Sequence, residues 1–307
     1  MVELQFLWGC DPQLQLECSW LRSLLPAFRL SEWEVSQGLS ADVVRRDQPC
    51  VLVESGIQLL ERHVDDRRLK TLQHQRRQRL DQLAGAPHLL LLHISDEEGT
   101  DAERLYPMLP PQCTIWRNFS HPRLEALHSR LRHFPIGPRG EFLEPSTLAQ
   151  ASQRPWPWAF MGTLWRSGSR TVATSLFLHA LPNGQFYGGS RFGQGVPLTE
   201  YRQTLANSVF ALCPEGDRHF DTFRLYESLQ MGCLPLVVER QHQAVALLGP
   251  TFPMPIFEDW RAALAFAQAH LSDPARLNQH QARIGHWWEG LKTQCIEAMR
   301  RDLLQDC

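Results

Sequence analysis

The sequence predicts an α/β protein with two domains, each built around a parallel β-sheet, and three observations support this prediction. The chain has 307 residues, which exceeds what one hydrophobic core usually supports, so two domains of about 150 residues each are expected. Short apolar runs alternate with amphipathic stretches, which is typical of strands and helices around a parallel sheet. Residues 208–238 contain a complete strand, loop, helix and second strand, and a helical crossover makes such strands parallel.

The first half of the chain is predicted to form one domain, residues 1–150. Residues 14–25 have the apolar recurrence of a helix that Pro26 ends. Residues 57–83 predict a long, heavily charged helix. We expect its arginines to form a solvated outer face, the alternative being contact with an anionic acceptor. Apolar runs predict the strands of this domain at residues 4–8, 50–53, 88–94 and 114–119.

Acidic and histidine side chains follow these strands at the point where each strand ends. The carboxyl ends of parallel strands lie along one edge of a sheet, and ligands bind at that edge. We therefore expect these side chains near one another. They are Asp11, Glu54, Asp96 and His121.

A connection rich in proline and glycine, residues 135–157, leads into a second domain that we place at residues 151–285. Residues 184–195 contain five glycines, which predicts either a mobile loop that closes over a ligand or a plain hairpin connection. Thr199 is predicted to be the N-cap of a helix that reaches Asn207.

The start of the second domain carries a candidate anion site. Residues 158–161 predict a strand, which is followed by Gly162, a loop and a helix that begins at Arg170. Backbone N–H groups at a helix N-terminus attract anions, and Arg166 and Arg170 add positive charge there. Ordinary strand-to-helix turns also contain glycine and serine, so the pattern alone leaves a purely structural turn open.

The strand–loop–helix–strand stretch carries a second candidate. Pro214 and Gly216 mark a loop at the carboxyl end of its first strand. On the following helix, Arg224 and Glu227 share one face because they are one turn apart. A guanidinium near a helix N-terminus can bind a diphosphate, and a carboxylate one turn later can accept hydrogen bonds from both ribose hydroxyls. The alternative is an Arg–Glu surface pair worth about 0.3–0.5 kcal/mol.

These residues resemble the donor-binding signature of the exostosin family of glycosyltransferases, including its ribitol xylosyltransferase-like branch. In that family, a P-x-G loop precedes the pattern R-x-x-E-x-x-x-x-G-x-x-P-V-V. The fixed positions of the pattern correspond to Arg224, Glu227, Gly232 and Pro235. The F-x-G sequence that ends at Gly162, with the S-R that follows, also recurs in the family.

The resemblance implies a GT-B architecture, in which two Rossmann-like domains with parallel sheets face each other across a cleft. The C-terminal domain of such proteins binds the nucleotide sugar. The resemblance also implies that the last helix, residues 286–307, packs back on the N-terminal, acceptor-binding domain. Residues 253–260 resemble the strand and D-W turn that precede a helix in this family.

The function implied by the resemblance is transfer of a sugar from a nucleotide diphosphate sugar, here a UDP-sugar, to an oligosaccharide, polysaccharide or glycolipid. The reaction is expected to invert the anomeric centre and to use arginines rather than a metal against the departing diphosphate. No cofactor is expected, because the donor is a substrate. The donor-binding residues are predicted to be Gly162, Arg166, Arg170, Pro214, Gly216, His219, Thr222, Arg224 and Glu227.

Transfer also needs a base that deprotonates the acceptor hydroxyl. Asp96 and Glu97 are the candidates, because they follow the most apolar strand of the first domain. Helix capping by one of these acids is an alternative role. Asp11, Glu54 and His121 remain further candidates for the base.

Composition excludes several other classes of function. The net charge of −2 and the pI near 6.7 give no general attraction to nucleic acid. No apolar run reaches the roughly 18 residues of a membrane helix, and no H-E-x-x-H motif predicts a metal site. The eight cysteines form no C-x-x-C, which indicates reduced thiols. Together with an N-terminus that lacks a signal sequence, these features predict a bacterial, cytoplasmic protein without a transmembrane segment.

Two competing functions remain open at this point. A fucosyltransferase-like GT-B enzyme that uses GDP-fucose has a similar C-terminal signature, although its helix usually carries E-K where this sequence has Arg224 and Glu227. The other is a catalytically silent GT-B protein that binds a nucleotide or a glycan. Hydrolysis of a nucleotide sugar by the purified protein would separate an enzyme from the silent protein.

Overall fold

The computed structural model divides into two compact units. Unit 1 comprises Met1–Ile136 with Thr293–Cys307, and unit 2 comprises Gly137–Lys292. The structure describes residues 3–11, 13, 15–40, 44–45, 48–57, 65–86, 88–144, 147–164, 168–191, 195–216, 219–239 and 243–304.

Unit 1 contains a sheet whose strand pairs are all parallel among the described residues. The four predicted strands are confirmed, and every residue of three of them is buried, as expected for strands covered on both faces. Two edge strands were not predicted, because their sequences are short or half polar. The strands are β1 (Leu4–Trp8), β2 (Leu30–Glu34), β3 (Cys50–Ser55), β4 (Leu89–Ile94), β5 (Thr114–Arg117) and β6 (Leu131–His133), in the order β2-β1-β3-β4-β5-β6.

The helices of unit 1 pack apolar side chains on this sheet. Leu7, Leu52 and Leu91 of the strands lie in one core cluster with Leu80 and Leu83 of the long helix. The first helix is shorter than the predicted 14–25, and Pro26 lies in a 3-10 turn that follows it. Of the predicted helix 57–83, residues 58–64 lie outside the described residues. The helices are α1 (Cys18–Leu24), α2 (Asp66–Leu83), α3 (Ala102–Leu105) and α4 (Pro122–Leu127).

The prediction that the arginines of α2 form a solvated face was wrong for two of them. Arg76 and Arg79 are each 3% exposed and both donate to the carboxylate of Glu54, which is itself buried at the end of β3. Arg76 Nη1 also lies 2.9 Å from both carboxylate oxygens of Asp101. A buried carboxylate is stable only when it is paired, so the inner face of α2 carries arginines where an apolar residue would be expected.

Unit 2 contains a second parallel sheet. The predicted strand–loop–helix–strand stretch is confirmed as β9 (Ser208–Cys213), α7 (Phe223–Gln230) and β10 (Leu234–Val238), with Leu234 opposite Phe210. Gly232, with φ +63°, follows the helix in the left-handed conformation that glycine adopts without strain. The strands are β7 (Trp156–Thr163), β8 (Gln185–Gly189), β9 (Ser208–Cys213), β10 (Leu234–Val238) and β11 (Ile256–Phe257), in the order β11-β10-β9-β7-β8.

The remaining helices are α5 (Ser169–Ala180), α6 (Leu198–Ala206), α7 (Phe223–Gln230), α8 (Gln243–Leu248), α9 (Trp260–Leu271) and α10 (Pro274–Leu304). α9 follows the D-W turn, as the resemblance implied, and Asp259 caps it by accepting from the backbone N–H groups of Arg261 and Ala262. No helix within the described ranges is long and apolar enough to cross a bilayer.

Two predictions in unit 2 were wrong. Residues 184–195 are neither a loop nor a hairpin where they are described, because they contain β8, which pairs with β7 in parallel after the α5 crossover. The aromatic pair Phe186 and Tyr187 favours a strand despite the neighbouring glycines. Thr199 lies inside α6 rather than at its N-cap, a position that Pro197 occupies.

Candidate functional site

The loop after β9 and the start of α7 form the centre of the candidate site in unit 2. Pro214 is buried, and the backbone N–H of Gly216 donates to the carbonyl of His219 at 2.6 Å, which turns the chain toward the helix. Thr222 is the N-cap residue of α7, but its side chain makes no capping hydrogen bond. Its hydroxyl and the first N–H groups of the helix therefore suit an anion at this point.

Arg224 lies across the end of the neighbouring strand β7. Its guanidinium carbon is 4.4 Å from the centre of the Phe160 ring, and its Nη2 donates to the carbonyl of Met161 at 3.2 Å. Gly162 makes this position possible, because a Cβ at Gly162 would lie 2.1 Å from Nη2. The side chain is 9% exposed, and its Nε is buried without a hydrogen-bond partner among the described residues. An arginine fixed in this way keeps donor capacity for an anionic ligand.

Glu227 lies one turn after Arg224 and is 1% exposed. Its Oε1 accepts a hydrogen bond from Nε of Arg139, a residue 88 positions earlier in the chain. The Arg139 guanidinium lies 5.7 Å from the ring centres of both Phe142 and Tyr201. Burial, followed by the negative charge of Glu227, raises the pKa of the Tyr201 hydroxyl. Glu227 is therefore buried in unit 2 and paired with Arg139. The alternative considered from the sequence, an exposed surface pair of Arg224 and Glu227, does not describe this site.

Arg170 connects the loops that follow two adjacent strands. It lies in the first turn of α5, where its Nη1 donates to Thr163 O at 2.7 Å and its Nε donates to Glu215 O at 3.0 Å. The first carbonyl ends β7 and the second belongs to the loop after β9, so Arg170 holds the two loops together. Arg166, the other arginine predicted at this anion site, lies outside the described residues.

In unit 1, Asp96 and Glu97 follow β4, as the sequence predicted. Asp96 is 3% exposed, and its carboxylate accepts from the backbone N–H groups of Asp101 at 3.2 Å and Ala102 at 3.1 Å. It also lies 3.6 Å from Nη2 of Arg117. The Asp96 carboxylate thus holds the loop between β4 and α3, whereas Glu97 is partly exposed.

The other candidates for a base occupy different surroundings in unit 1. Glu54 is paired with two buried arginines, and Asp11 is exposed and accepts from the backbone N–H of Gln13. His121 is partly buried, and its Nδ1 has no hydrogen-bond partner among the described residues. A buried carboxylate that the sequence did not single out, Glu17, accepts from the hydroxyl of Ser95 at 2.7 Å.

The sequence is also similar to a known protein family. The model of the Exostosin GT47 domain matches residues 58–277, which is more than half of the chain. The chain belongs to the exostosin GT47 family. The resemblance predicted from the residues around Arg224 and Glu227 is thereby confirmed at the level of the family. No curated protein is similar to this exostosin-family chain in sequence at a significant level.

Solved structures with the same fold are glycosyltransferases at low sequence identity. T4 phage BGT in complex with its UDP-glucose substrate has a TM-score of 0.52 and 9% identity, covering 99% of this chain and 100% of that one. An alpha-glucosyltransferase in complex with UDP and a 13-mer DNA has a TM-score of 0.54 and 9% identity, covering 96% and 99%. Sucrose-phosphate synthase from Thermosynechococcus elongatus has a TM-score of 0.50 and 12% identity, covering 98% and 99%.

Family and fold together make this exostosin-family chain a glycosyltransferase with a GT-B fold. Two residues of the candidate site, Arg139 and Tyr201, were not found from its sequence. Arg139 lies in a connection rich in proline and glycine, and neither residue belongs to a periodic pattern or a motif. Only the fold brings them to Glu227, so no signal in the sequence could have identified them.

Proposed function

We propose that unit 2 binds a nucleotide diphosphate sugar, with a UDP-sugar as the donor, between the loop after β9 and the start of α7. The observation that carries this proposal is the position of Arg224, which Gly162 allows to lie across the end of β7, with Glu227 one turn further along the helix. The guanidinium binds the diphosphate and the carboxylate accepts from the ribose. The UDP and UDP-glucose bound to the two structurally similar glucosyltransferases support uridine as the nucleoside.

The departing diphosphate gains negative charge during transfer, and positive side chains stabilise that charge. We assign this role to Arg224, with Arg166 and Arg170 adding positive charge nearby. The hydroxyl of Thr222, which caps nothing, donates to a phosphate oxygen, and His219 forms a further contact. In this arrangement, Pro214 and Gly216 shape the loop that carries the backbone donors. The reaction proposed on these residues needs no metal ion.

The chemical step is a displacement at the anomeric carbon of the donor sugar. A base takes the proton of the acceptor hydroxyl, the oxygen forms a bond to the anomeric carbon, and the bond from that carbon to the diphosphate breaks on the opposite face. The anomeric configuration is inverted. Of the two candidate acids, we assign the base to Glu97, because Asp96 is buried and holds two backbone N–H groups.

The proposed acceptor is an oligosaccharide, a polysaccharide or a glycolipid. Nucleic acid is a less suitable acceptor, because a net charge of −2 provides no general attraction to phosphates. The ribitol xylosyltransferase-like branch is our proposed placement within the family. The seven cysteines among the described residues are all unpaired and buried, which supports a reducing compartment such as the cytoplasm of a bacterium.

A thermal-shift screen tests the identity of the donor. The melting temperature is measured with UDP, GDP, CMP and dTDP, and a ligand that binds the native state raises it. We expect UDP to give the largest increase. A larger increase with GDP would instead favour a donor such as GDP-fucose, and no increase with any nucleotide would contradict the proposed site.

A hydrolysis assay separates the proposed enzyme from a silent nucleotide-binding protein. Purified protein is incubated with UDP-sugars in the absence of an acceptor, and UDP release is measured. We expect slow release, because water can replace the acceptor hydroxyl. Binding of UDP without any release, with and without glycan acceptors, would contradict the enzymatic proposal and leave only the binding role.

A further inference from the structure

Arg139 forms an ion pair with Glu227, the carboxylate that we propose binds the ribose of the donor. Its Nε donates to Oε1 of Glu227, and the two side chains are 23% and 2% exposed. The hydrogen bond is charge-assisted and largely shielded from water, so it is stronger than an exposed ion pair. The contact lies within unit 2 and joins the start of that unit to α7.

Two aromatic rings hold the guanidinium of Arg139 in place. It lies 5.7 Å from the ring centre of Phe142 and 5.7 Å from that of Tyr201, and these two rings contact each other edge to face at 5.3 Å. A planar guanidinium that lies against two aromatic rings loses much of its rotational freedom. The direction of its Nε–H bond, and with it the orientation of the Glu227 carboxylate, is therefore fixed before any ligand arrives.

The second oxygen of the Glu227 carboxylate has no such partner. Oε2 accepts no hydrogen bond within the part of the chain that the structure describes. This oxygen is not fully enclosed by the protein, so a ligand can reach it. A carboxylate has about four acceptor positions, of which Arg139 uses one. The remaining positions match a ligand that presents two neighbouring hydroxyl groups.

We propose that Arg139 is a positioning residue for the donor: it holds the Glu227 carboxylate in the orientation in which it accepts from both ribose hydroxyls of a nucleoside diphosphate. This proposal rests on the proposed function of unit 2, and it assigns a residue that no motif in the sequence indicates. Arg139 acts through Glu227, and it makes the site selective for a ribose with both hydroxyls.

The test compares UDP with 2′-deoxy-UDP, which lacks one of the two hydroxyls. The dissociation constants of both nucleotides are measured by calorimetry for the wild type and for R139A, R139K and R202A. Arg202 is the matched control: it also forms an Arg–Glu ion pair in unit 2, at 2.8 Å, but its partner Glu144 is exposed and lies outside the proposed site.

For the wild type we expect UDP to bind about tenfold more tightly than 2′-deoxy-UDP, the effect of losing one hydrogen bond to a charged group. R139A is expected to bind UDP about ten to a hundred times more weakly and to lose the preference for UDP over 2′-deoxy-UDP. R139K keeps the charge but not the planar fork, so it is expected to recover part of that preference. R202A should behave like the wild type.

Failure of this proposal and failure of the proposed function give different results. A wild type that prefers UDP, together with an R139A variant that keeps the same preference, would overturn the role of Arg139 and leave the donor site intact. A wild type that binds no UDP would overturn both. If R139A does not fold, R139K decides, and an unchanged preference in R139K overturns the proposal.

A double-mutant cycle tests whether Arg139 acts through Glu227. E227A and R139A/E227A are titrated with UDP beside the single variant R139A. If Arg139 only positions the carboxylate, the double variant binds UDP as weakly as E227A and no weaker. Additive losses in the double variant would contradict the proposal, because Arg139 would then contribute independently of Glu227.

Discussion

Substituting Gly162 by alanine tests the position of Arg224 with the smallest possible change. The added Cβ would lie 2.1 Å from Nη2 and 3.3 Å from Cζ of Arg224, whereas ordinary contacts begin at 3.4 Å. The guanidinium must therefore move away from β7. This movement lengthens the 3.2 Å hydrogen bond to the carbonyl of Met161 and takes the guanidinium off the Phe160 ring, from which it is 4.4 Å.

The expected change in stability is small, because the displaced atoms are at the end of a flexible side chain. The hydrogen bond and the cation–π contact are each worth about 1 kcal/mol. Replacing glycine by alanine reduces the entropy of the unfolded chain and returns about 0.4–1 kcal/mol. The free energy of unfolding of G162A should therefore fall by about 1 kcal/mol. The affinity for UDP should fall about tenfold to a hundredfold, as expected when a charged donor leaves its position.

Two measurements separate these effects. Urea denaturation gives the free energy of unfolding, and calorimetric titration gives the dissociation constant of UDP for G162A and the wild type. Gly285→Ala is a matched control, because a Cβ at Gly285 meets nothing within 4 Å. G285A should bind UDP like the wild type. A G162A variant that unfolds at the wild-type urea concentration and binds UDP with wild-type affinity would refute the assignment of Arg224 to the diphosphate.

Three further predictions follow from other residues. Burial by itself raises the pKa of Asp101, but the hydrogen bond from His93 and the charge of Arg76 outweigh burial and lower the pKa to about 2. The Asp101 carboxylate therefore contributes stability above its ordinary pKa of 3.8, and this contribution, about 2 kcal/mol, is lost as the pH falls to about 2. Urea denaturation from pH 6 to pH 2 should show this loss for the wild type, and an equally steep loss in D101N would contradict it. Arg154 donates to three buried backbone carbonyls of unit 2, those of Leu205, Ser208 and Met231, and to a fourth carbonyl at the exposed Ala149. R154M should therefore lower the free energy of unfolding by about 3 kcal/mol or more, and a loss below about 1 kcal/mol in urea would contradict that role. E97Q should reduce sugar transfer at least about a hundredfold and leave the dissociation constant of UDP unchanged, and wild-type turnover would remove Glu97 as the base.

The parts of the fold that could be predicted from the sequence are those fixed by local patterns. β9, α7 and β10 were predicted because two apolar runs flank an amphipathic stretch and Gly232 ends the helix. β8 was missed because its glycines outweighed its aromatic residues, and only pairing with β7 makes it a strand. Edge strands such as β2 carry polar side chains, which weakens the apolar signal on which strand prediction depends.

The parts that could not be predicted depend on contacts between distant residues. A charged residue on a helix is normally solvated, so no local pattern indicated that Arg76 and Arg79 are buried. Their burial depends on Glu54, which is more than twenty positions earlier and whose own burial follows from the sheet. The pairing of Arg139 with Glu227 joins residues 88 positions apart in the same way. Motifs identify a candidate helix, but the groups that orient its side chains come from the rest of the fold.

The central claim, that Arg224 and Glu227 of α7 bind the nucleotide of the donor, is tested most directly by titrating UDP into the wild type and into E227Q. Glutamine keeps the size of the side chain and removes its charge. We predict that the wild type binds UDP and that the affinity of E227Q is lower by about tenfold or more, because a charged acceptor is lost. Equal dissociation constants for the two proteins, measured with both correctly folded, would contradict the claim.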